Sequence, residues 1–325
     1  MPVLAKLSGG RLPKHIEDAM AARDSALLSG DVAGPAFPNL ADTSGDRICS
    51  APGCASRWMA PWKNRRRPIF EQEWGCSAGC LTSLVTAAVR REVGEGVWAG
   101  EMGRHRHRVP LGLVLLAQGW ITHPQLQTAL EAQRANGTGR IGDWLSLGCG
   151  LEEERIARGL GVQWNCPVLS VEGYSPAAMA LGMPKRFVAE FGMVPLRIAG
   201  SKLLYVAFEE KLNAAAALGL ERMSGLKVES GLLPGSQFAS ARASLLAADS
   251  VPVEMKQVGD RDALTAALTR ALDRHQPLAA RLVRVHQYYW MRMWLESGAM
   301  REGDGGIPAT REDVGDRLYE LESGR

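Results

Sequence analysis

Between Pro110 and Gln163 the apolar positions recur at three- and four-residue steps, and the pattern occurs twice. Each occurrence predicts a short helix, a glycine-bearing stop and a longer helix. Thr122 followed three residues later by Gln125 predicts a capping box at the first long helix, with Leu126 and Leu130 on one face and Gln133 a turn below. After Cys166 the period shortens. Val194-Pro195-Leu196 and Leu203–Phe208 predict strands around a Gly200-Ser201 turn. Residues 213–224 then predict a helix stopped by Gly225, and Leu226-Lys227-Val228 a further strand. This order is that of a small α+β unit.

Asp260 caps a predicted helix with Leu264, Leu268 and Leu272 on one face. Pro277 interrupts it, and Leu278, Leu282, Val285 and Tyr289, at three- and four-residue spacing, predict a second helix. The run from Tyr288 to Trp294 is too apolar to be wholly exposed; it packs on the α+β unit or forms a partner surface. At the other end, residues 1–47 are rich in Gly, Pro, Asp and Ala, with one short helical candidate at 15–28. The expected fold class is α+β, in five parts: a flexible leader (1–47), a four-cysteine zinc module (48–97), a four-helix tandem-motif layer (108–168), a small α+β subdomain (169–248) and a helical C-terminal tail (249–325). The basic stretch 100–108 is expected to be a solvated linker, where His105 and His107 fall.

Composition narrows the class. The 325 residues carry a net charge of +3, too small to argue for nucleic acid, and 46% hydrophobic with 22% charged residues is ordinary for a globular protein. No apolar run approaches the ~20 residues that span a bilayer, and the first residues lack the apolar core of a signal peptide. The expected location is the cytoplasm, where thiols stay reduced and clustered cysteines bind metal more often than they form disulfides.

Four of the six cysteines form two close pairs. Cys49 and Cys54 enclose Ser50-Ala51-Pro52-Gly53; Cys76 and Cys80 enclose Ser77-Ala78-Gly79. Two such pairs can supply the four thiolates of a tetrahedral zinc site, and with no open position that zinc would be structural. Pro-Gly before Cys54 favours a tight turn. The second pair opens a helix bearing Leu81, Leu84, Val85, Ala88 and Val89 on one face, so its thiolates lie at a helix N-terminus. The arrangement resembles small treble-clef or FCS-type zinc modules. Cys149 and Cys166 are read as small core residues. Between the pairs lie Arg65-Arg66-Arg67 with Trp58, Trp62 and Trp74 nearby, which open an alternative: a zinc-dependent nucleic-acid-binding regulator.

Offsetting the chain by thirty residues aligns Leu111 with Ile141, Gly112 with Gly142, Leu115 with Leu145, Leu126 with Ile156, Leu130 with Leu160 and Gln133 with Gln163. These units resemble the tandem motif Arg-Leu-Gly-x-x-Leu, then Gly, then Leu-x-x-x-Leu-x-x-Gln, of the N-terminal (MshE/GspE-type) domain of bacterial type II secretion and type IV pilus assembly ATPases. Met183-Pro184, Met193-Val194-Pro195-Leu196 and Leu203-Leu204-Tyr205-Val206-Ala207 extend the resemblance over about 108–247. A subset of that family binds cyclic di-GMP through the two motifs. The resemblance therefore implies Leu111, Gly112, Leu115, Leu126, Leu130 and Gln133 in one unit, and Arg140, Ile141, Gly142, Leu145, Ile156, Leu160 and Gln163 in the other, as nucleotide-contacting positions. In that reading glycine lets the backbone approach the ligand, leucines pack on purine faces and arginine engages phosphate or guanine. Pro110 stands where the first unit's arginine would be, Cys149 where Gly119 has its counterpart, and the spacer is one residue longer than in the family's pattern.

The parent ATPases hold phosphates in a Walker A loop, but no lysine here follows a glycine. His-Glu-x-x-His is also absent. The expectation is a non-catalytic adaptor or regulatory protein, not an enzyme. It would dock a secretion or pilus assembly ATPase, or the membrane platform protein of such a system, with structural zinc and without a transmembrane segment. A cyclic di-GMP-responsive sensor is the alternative.

Overall fold

The computed structural model describes residues 48–56, 68–94, 108–200, 202–209, 211–296 and 306–322. The expected leader, the basic linker up to His107, and Trp58, Trp62 and Arg65 to Arg67 lie outside them.

The chain first makes a two-stranded hairpin, β1 (Ile69–Phe70) and β2 (Glu73–Trp74). Its turn residues Glu71 and Gln72 both take positive φ, 51° and 67°, the twist that suits a two-residue hairpin. Helix α1 (Ala78–Gly94) follows and buries Leu81, Leu84, Val85, Ala88 and Val89, the face read from the sequence. The tandem region then forms α2 (Leu111–Ala117), α3 (His123–Asn136), α4 (Ile141–Cys149) and α5 (Glu153–Trp164). The capping box at α3 is present: Gln125 N donates to Thr122 Oγ1 at 3.4 Å, and Thr122 N to Gln125 Oε1 at 2.8 Å.

Two short helices, α6 (Pro176–Met179) and α7 (Lys185–Phe191), lead into β3 (Met193–Ala199) and β4 (Leu203–Phe208). Helix α8 (Ala214–Ser224), β5 (Lys227–Gly231) and α9 (Gly235–Ala247) complete this unit. Its sheet has the order β3-β4-β5, antiparallel then parallel. Asn213 caps α8 by accepting from Ala216 N at 3.0 Å, and Gly225 ends it at φ +69°. Glu153, in the acidic first turn of α5, accepts from Ser236 N and Oγ at 2.8 and 2.6 Å, which ties the tandem helices to the start of α9.

The segment 249–325 departs from expectation. It holds β6 (Val253–Val258), α10 (Arg261–His275), β7 (Ala279–Val285), β8 (Tyr288–Trp294) and β9 (Val314–Leu321). Only α10, capped by Asp260, is the predicted helix; Leu278 to Tyr289 belong to a hairpin in a four-stranded sheet of order β6-β9-β8-β7. The helical tail is thus a sheet carrying one helix. The reason is burial on both faces. Ala280, Leu282, Tyr289, Met291 and Met293 join α1 and α10 in one core, while Val283, Val285, Tyr288, Trp290 and Trp294 join α7, α8 and β3 in another. A strand covered on both sides is apolar at nearly every position, and such a run also satisfies three- and four-residue spacing.

This sheet places the cysteine-bearing segment. Helix α1 shares its core with α10 and β7; each large side chain buried there contributes about 1.5–3 kcal/mol. Glu92, at the end of α1 and 2% exposed, accepts from Arg222 Nη2 at 2.7 Å, Arg91 Nε at 2.9 Å and Arg284 N at 2.9 Å. One carboxylate therefore joins α1, α8 and β7. A second buried pair, Arg292 with Asp316, joins β8 and β9, and Arg292 Nη1 reaches Gly182 O at 3.0 Å.

Candidate metal centre and tandem-motif face

Cys49 N pairs with Ser56 O, and Ser50 N with Trp74 O at 2.9 Å, so the first cysteine loop lies against the end of β2. Gly53, at φ +76°, makes the turn that brings Cys54 back, its N–H donating to Ala51 O at 3.1 Å. Gly75 precedes the second pair because a Cβ there would stand 2.9 Å from the Leu81 backbone N. Cys76 then sits just before α1, and Cys80 in its first turn.

The four sulfurs of Cys49, Cys54, Cys76 and Cys80 lie within 4.8 Å of one another. Cys76 Sγ is 3.6 Å from both Cys54 Sγ and Cys80 Sγ. A zinc–sulfur bond of about 2.3 Å implies a tetrahedron edge of about 3.8 Å, so the donor set fits the ion in both chemistry and size. Cys76 N donates to Cys49 Sγ at 3.4 Å, the kind of support that stabilises a thiolate ligand. The thiols are already polarised apart. Hydrogen bonds from Ser56, then those from Cys76 and Cys49, hold Cys54 down to about 6. Burial, then hydrogen bonding to Cys54 and Cys80, pushes Cys76 up to about 11. Sulfurs this close cannot all ionise without a cation among them. Trp74 is buried beside the cluster with Ala51.

In the tandem region Leu111, Gly112, Leu115, Gly142 and Leu145 are buried, Leu115 and Leu145 completely. Leu126, Leu130, Gln133, Ile141, Ile156, Leu160 and Gln163 are half-buried, and Arg140 is exposed. Gly112 and Gly142 have a packing role. A Cβ on Gly112 would lie 2.6 Å from Leu126 Cδ1, and one on Gly142 3.0 Å from Ile156 Cγ2. They let each short helix close onto its own long helix, and the repeat preserves that packing.

The two glutamines act in the same reciprocal way. Gln133 Nε2 donates to Gly139 O at 2.8 Å, and Gln163 Nε2 to Val109 O at 2.7 Å. Each carboxamide holds the carbonyl just before the leading residue, Arg140 or Pro110, of the other unit. Pro110 and Arg140 both occupy the N-cap of their short helix. Arg140 reaches towards Glu209 at 3.9 Å. Arg108 does not replace the arginine missing at 110, since its guanidinium lies 3.4 Å above the Trp164 ring. The Cys149 substitution has a local account: α4 runs on through Cys149, and Gly150 takes the left-handed stop at φ +66° that Gly119 makes at +69°. Cys149 Sγ meets Gln125 O at 3.6 Å. Gly159 was not singled out from the sequence, yet a Cβ there would stand 2.7 Å from Leu115 Cδ2 and 3.0 Å from Leu111 Cδ1. Its repeat partner Ala129, also small, was the available signal.

No protein-family model matches the chain. It is 30% identical over 127 residues to Bacteriophage adsorption protein B of Escherichia coli (strain K12), 39% of this chain and 17% of that protein. It is 31% identical over 121 residues to Type IV pilus assembly ATPase PilB of Myxococcus xanthus (strain DK1622), 37% of this chain and 21% of the ATPase. The chain thus spans about a fifth of these relatives' length. Among solved structures, it is similar to MshE with cdg (25% identity, TM-score 0.33, 42% of this chain and 98% of that one). It is also similar to the N-terminal domain of XpsE (17% identity, TM-score 0.29, 41% and 92%). The chain thus carries a segment of 121 residues similar to part of a type IV pilus assembly ATPase.

Proposed function

We propose that this chain is a non-catalytic docking protein: a secretion- or pilus-ATPase-type N-terminal domain, buttressed by a zinc-stapled module, that binds a protein component of such machinery. The tandem helices carry the reading. Their repeat is held rigid by the crossed glutamine bonds, yet Val109, Leu113, Leu147 and Val162 stand 57%, 49%, 80% and 58% exposed on or beside them. Large apolar side chains on a rigid scaffold suit a protein partner. The similar segment recurs in proteins whose names point to different processes, phage adsorption and pilus assembly, as a transferable binding domain would. Zinc would be held by Cys49, Cys54, Cys76 and Cys80 and would fix the start of α1. The test is direct binding of the purified chain to the assembly ATPase and to the cytoplasmic part of the platform protein from the same organism. Binding should occur and Leu147→Asp should weaken it at least tenfold; failure of both proteins to bind would count decisively against docking.

Cyclic di-GMP sensing is the second reading, favoured by the half-buried Leu126, Leu130, Ile156 and Leu160 next to exposed Arg140. Calorimetry with the dinucleotide decides it: heat that Arg140→Ala removes supports a sensor, and no heat sinks it.

A further inference from the structure

The four-stranded sheet has two edges, treated differently. The β7 edge is closed by the cysteine-bearing hairpin: Ile69 N donates to Pro277 O at 3.2 Å and Glu71 N to Ala280 O at 2.8 Å, while Leu282 N donates to Glu71 Oε1 at 2.7 Å. The β6 edge pairs, among the described residues, with β9 alone. Pro252 O and Val258 O accept from Asp316 N and Glu322 N, so even-numbered positions turn their backbone groups towards β9. By strand alternation Val253, Met255 and Gln257 turn theirs outward. Val253 and Met255 are also 38% and 40% exposed, among the most exposed large apolar side chains.

Exposed edges invite pairing and are usually blunted by charge, above all by lysine. Lys256 is such a charge, but it does not stand alone: Glu254 lies 2.6 Å from it along the same strand. We propose that two copies of this chain pair through β6 about a two-fold axis, joining their sheets edge to edge. With Met255 opposite Met255 of the second copy, Val253 faces Gln257, and these outward-turned residues exchange N–H···O bonds. The intervening non-hydrogen-bonded positions, where side chains come closest, then place Glu254 opposite Lys256 of the second copy, twice. The strand is self-complementary in this register, as a two-fold interface requires. A one-residue slip would set the outward-turned residues opposite residues whose backbone groups are bonded to β9, and would lose the charge match.

The experiment is light scattering of the full chain during gel filtration, over a wide concentration series. The wild type should approach twice the 35.1 kDa of one chain. Met255→Pro removes an outward N–H while sparing the β9 ladder, and should give 35.1 kDa with an unchanged circular dichroism spectrum. Lys256→Glu and Glu254→Lys should each be monomeric alone, because like charges then meet across the axis. Mixed, they should form a heterodimer, since all-acidic and all-basic strands match. A wild type that stays monomeric overturns the proposal. So does a mixture that does not dimerise although both variants fold, or a Met255→Pro chain that stays dimeric.

Discussion

Arg292 and Asp316 face each other across β8 and β9 as a two-pronged ion pair, Nε to Oδ1 at 2.8 Å and Nη2 to Oδ2 at 2.6 Å, with side chains 1% and 0% exposed. Trp290 Nε1 adds a third donor to Asp316 at 3.0 Å. The pair lies on the sheet face that meets Gly182, so it also ties the sheet to the loop after α6. Removing one partner leaves the other charged and buried. Asp316→Asn should cost about 3–5 kcal/mol in urea unfolding, whereas an apolar replacement of both residues should cost far less. Equal losses for the single and double changes would show that packing, not charge, dominates there.

Metal removal should act at a distance from the cysteines. Zinc would tie both cysteine loops to the start of α1, and α1 shares its core with α10 and the sheet. The purified chain should hold zinc at near-unit stoichiometry by mass spectrometry. Chelation, or Cys80→Ser, should lower the melting temperature of the α1–α10 core as well as release the ion. A metal-free preparation with the same melting curve would remove zinc from the account.

Two of the glycine contacts of the tandem helices, at Gly112 and Gly159, should respond differently to alanine. At Gly112 the obstacle is Leu126, half-buried and able to change rotamer, while alanine gains about 1 kcal/mol of helix propensity. Gly112→Ala should therefore be near neutral. At Gly159 the obstacle is Leu115, fully buried, with Leu111 behind it. Gly159→Ala should lose about 1–3 kcal/mol to overpacking, less the same helical gain. Denaturant midpoints compare the two directly; the reverse order would contradict this packing.

Glu71 supplies a pH dependence. Burial raises its carboxyl above the ordinary value of 4.5, although Arg91 and the Leu282 N–H pull the other way. The folded protein thus binds this proton more tightly than the unfolded chain. Its contribution is fully present below pH 4.5 and is lost as pH rises through the folded value. Glu71→Gln keeps an acceptor for Leu282 N without the charge, so it should flatten that part of the stability–pH curve. An unchanged slope in thermal melts from pH 4 to 7 (assay values, spanning roughly the carboxylate range) would refute the assignment.

The local signals along the chain were strong enough to stand alone. The spacing within each cysteine pair, the capping box at Thr122 and the stop at Gly225 all depend on residues within a few positions of one another, as does the helical pattern inside each unit of the repeat. Short-range hydrogen bonding and helical periodicity determine such features, so they survive without tertiary context. Three matters were settled only by the folded chain. Leu282 and Tyr289 became strand residues because α1 and α10 cover one sheet face and the α+β unit the other, which erases the alternation that would have marked a strand. Gly112 and Gly142 turned out to admit Leu126 and Ile156, since a close approach between helices leaves no trace in spacing. And Gln163 bonds Val109, fifty-four residues away, because only packing the two units together brings that carbonyl within reach.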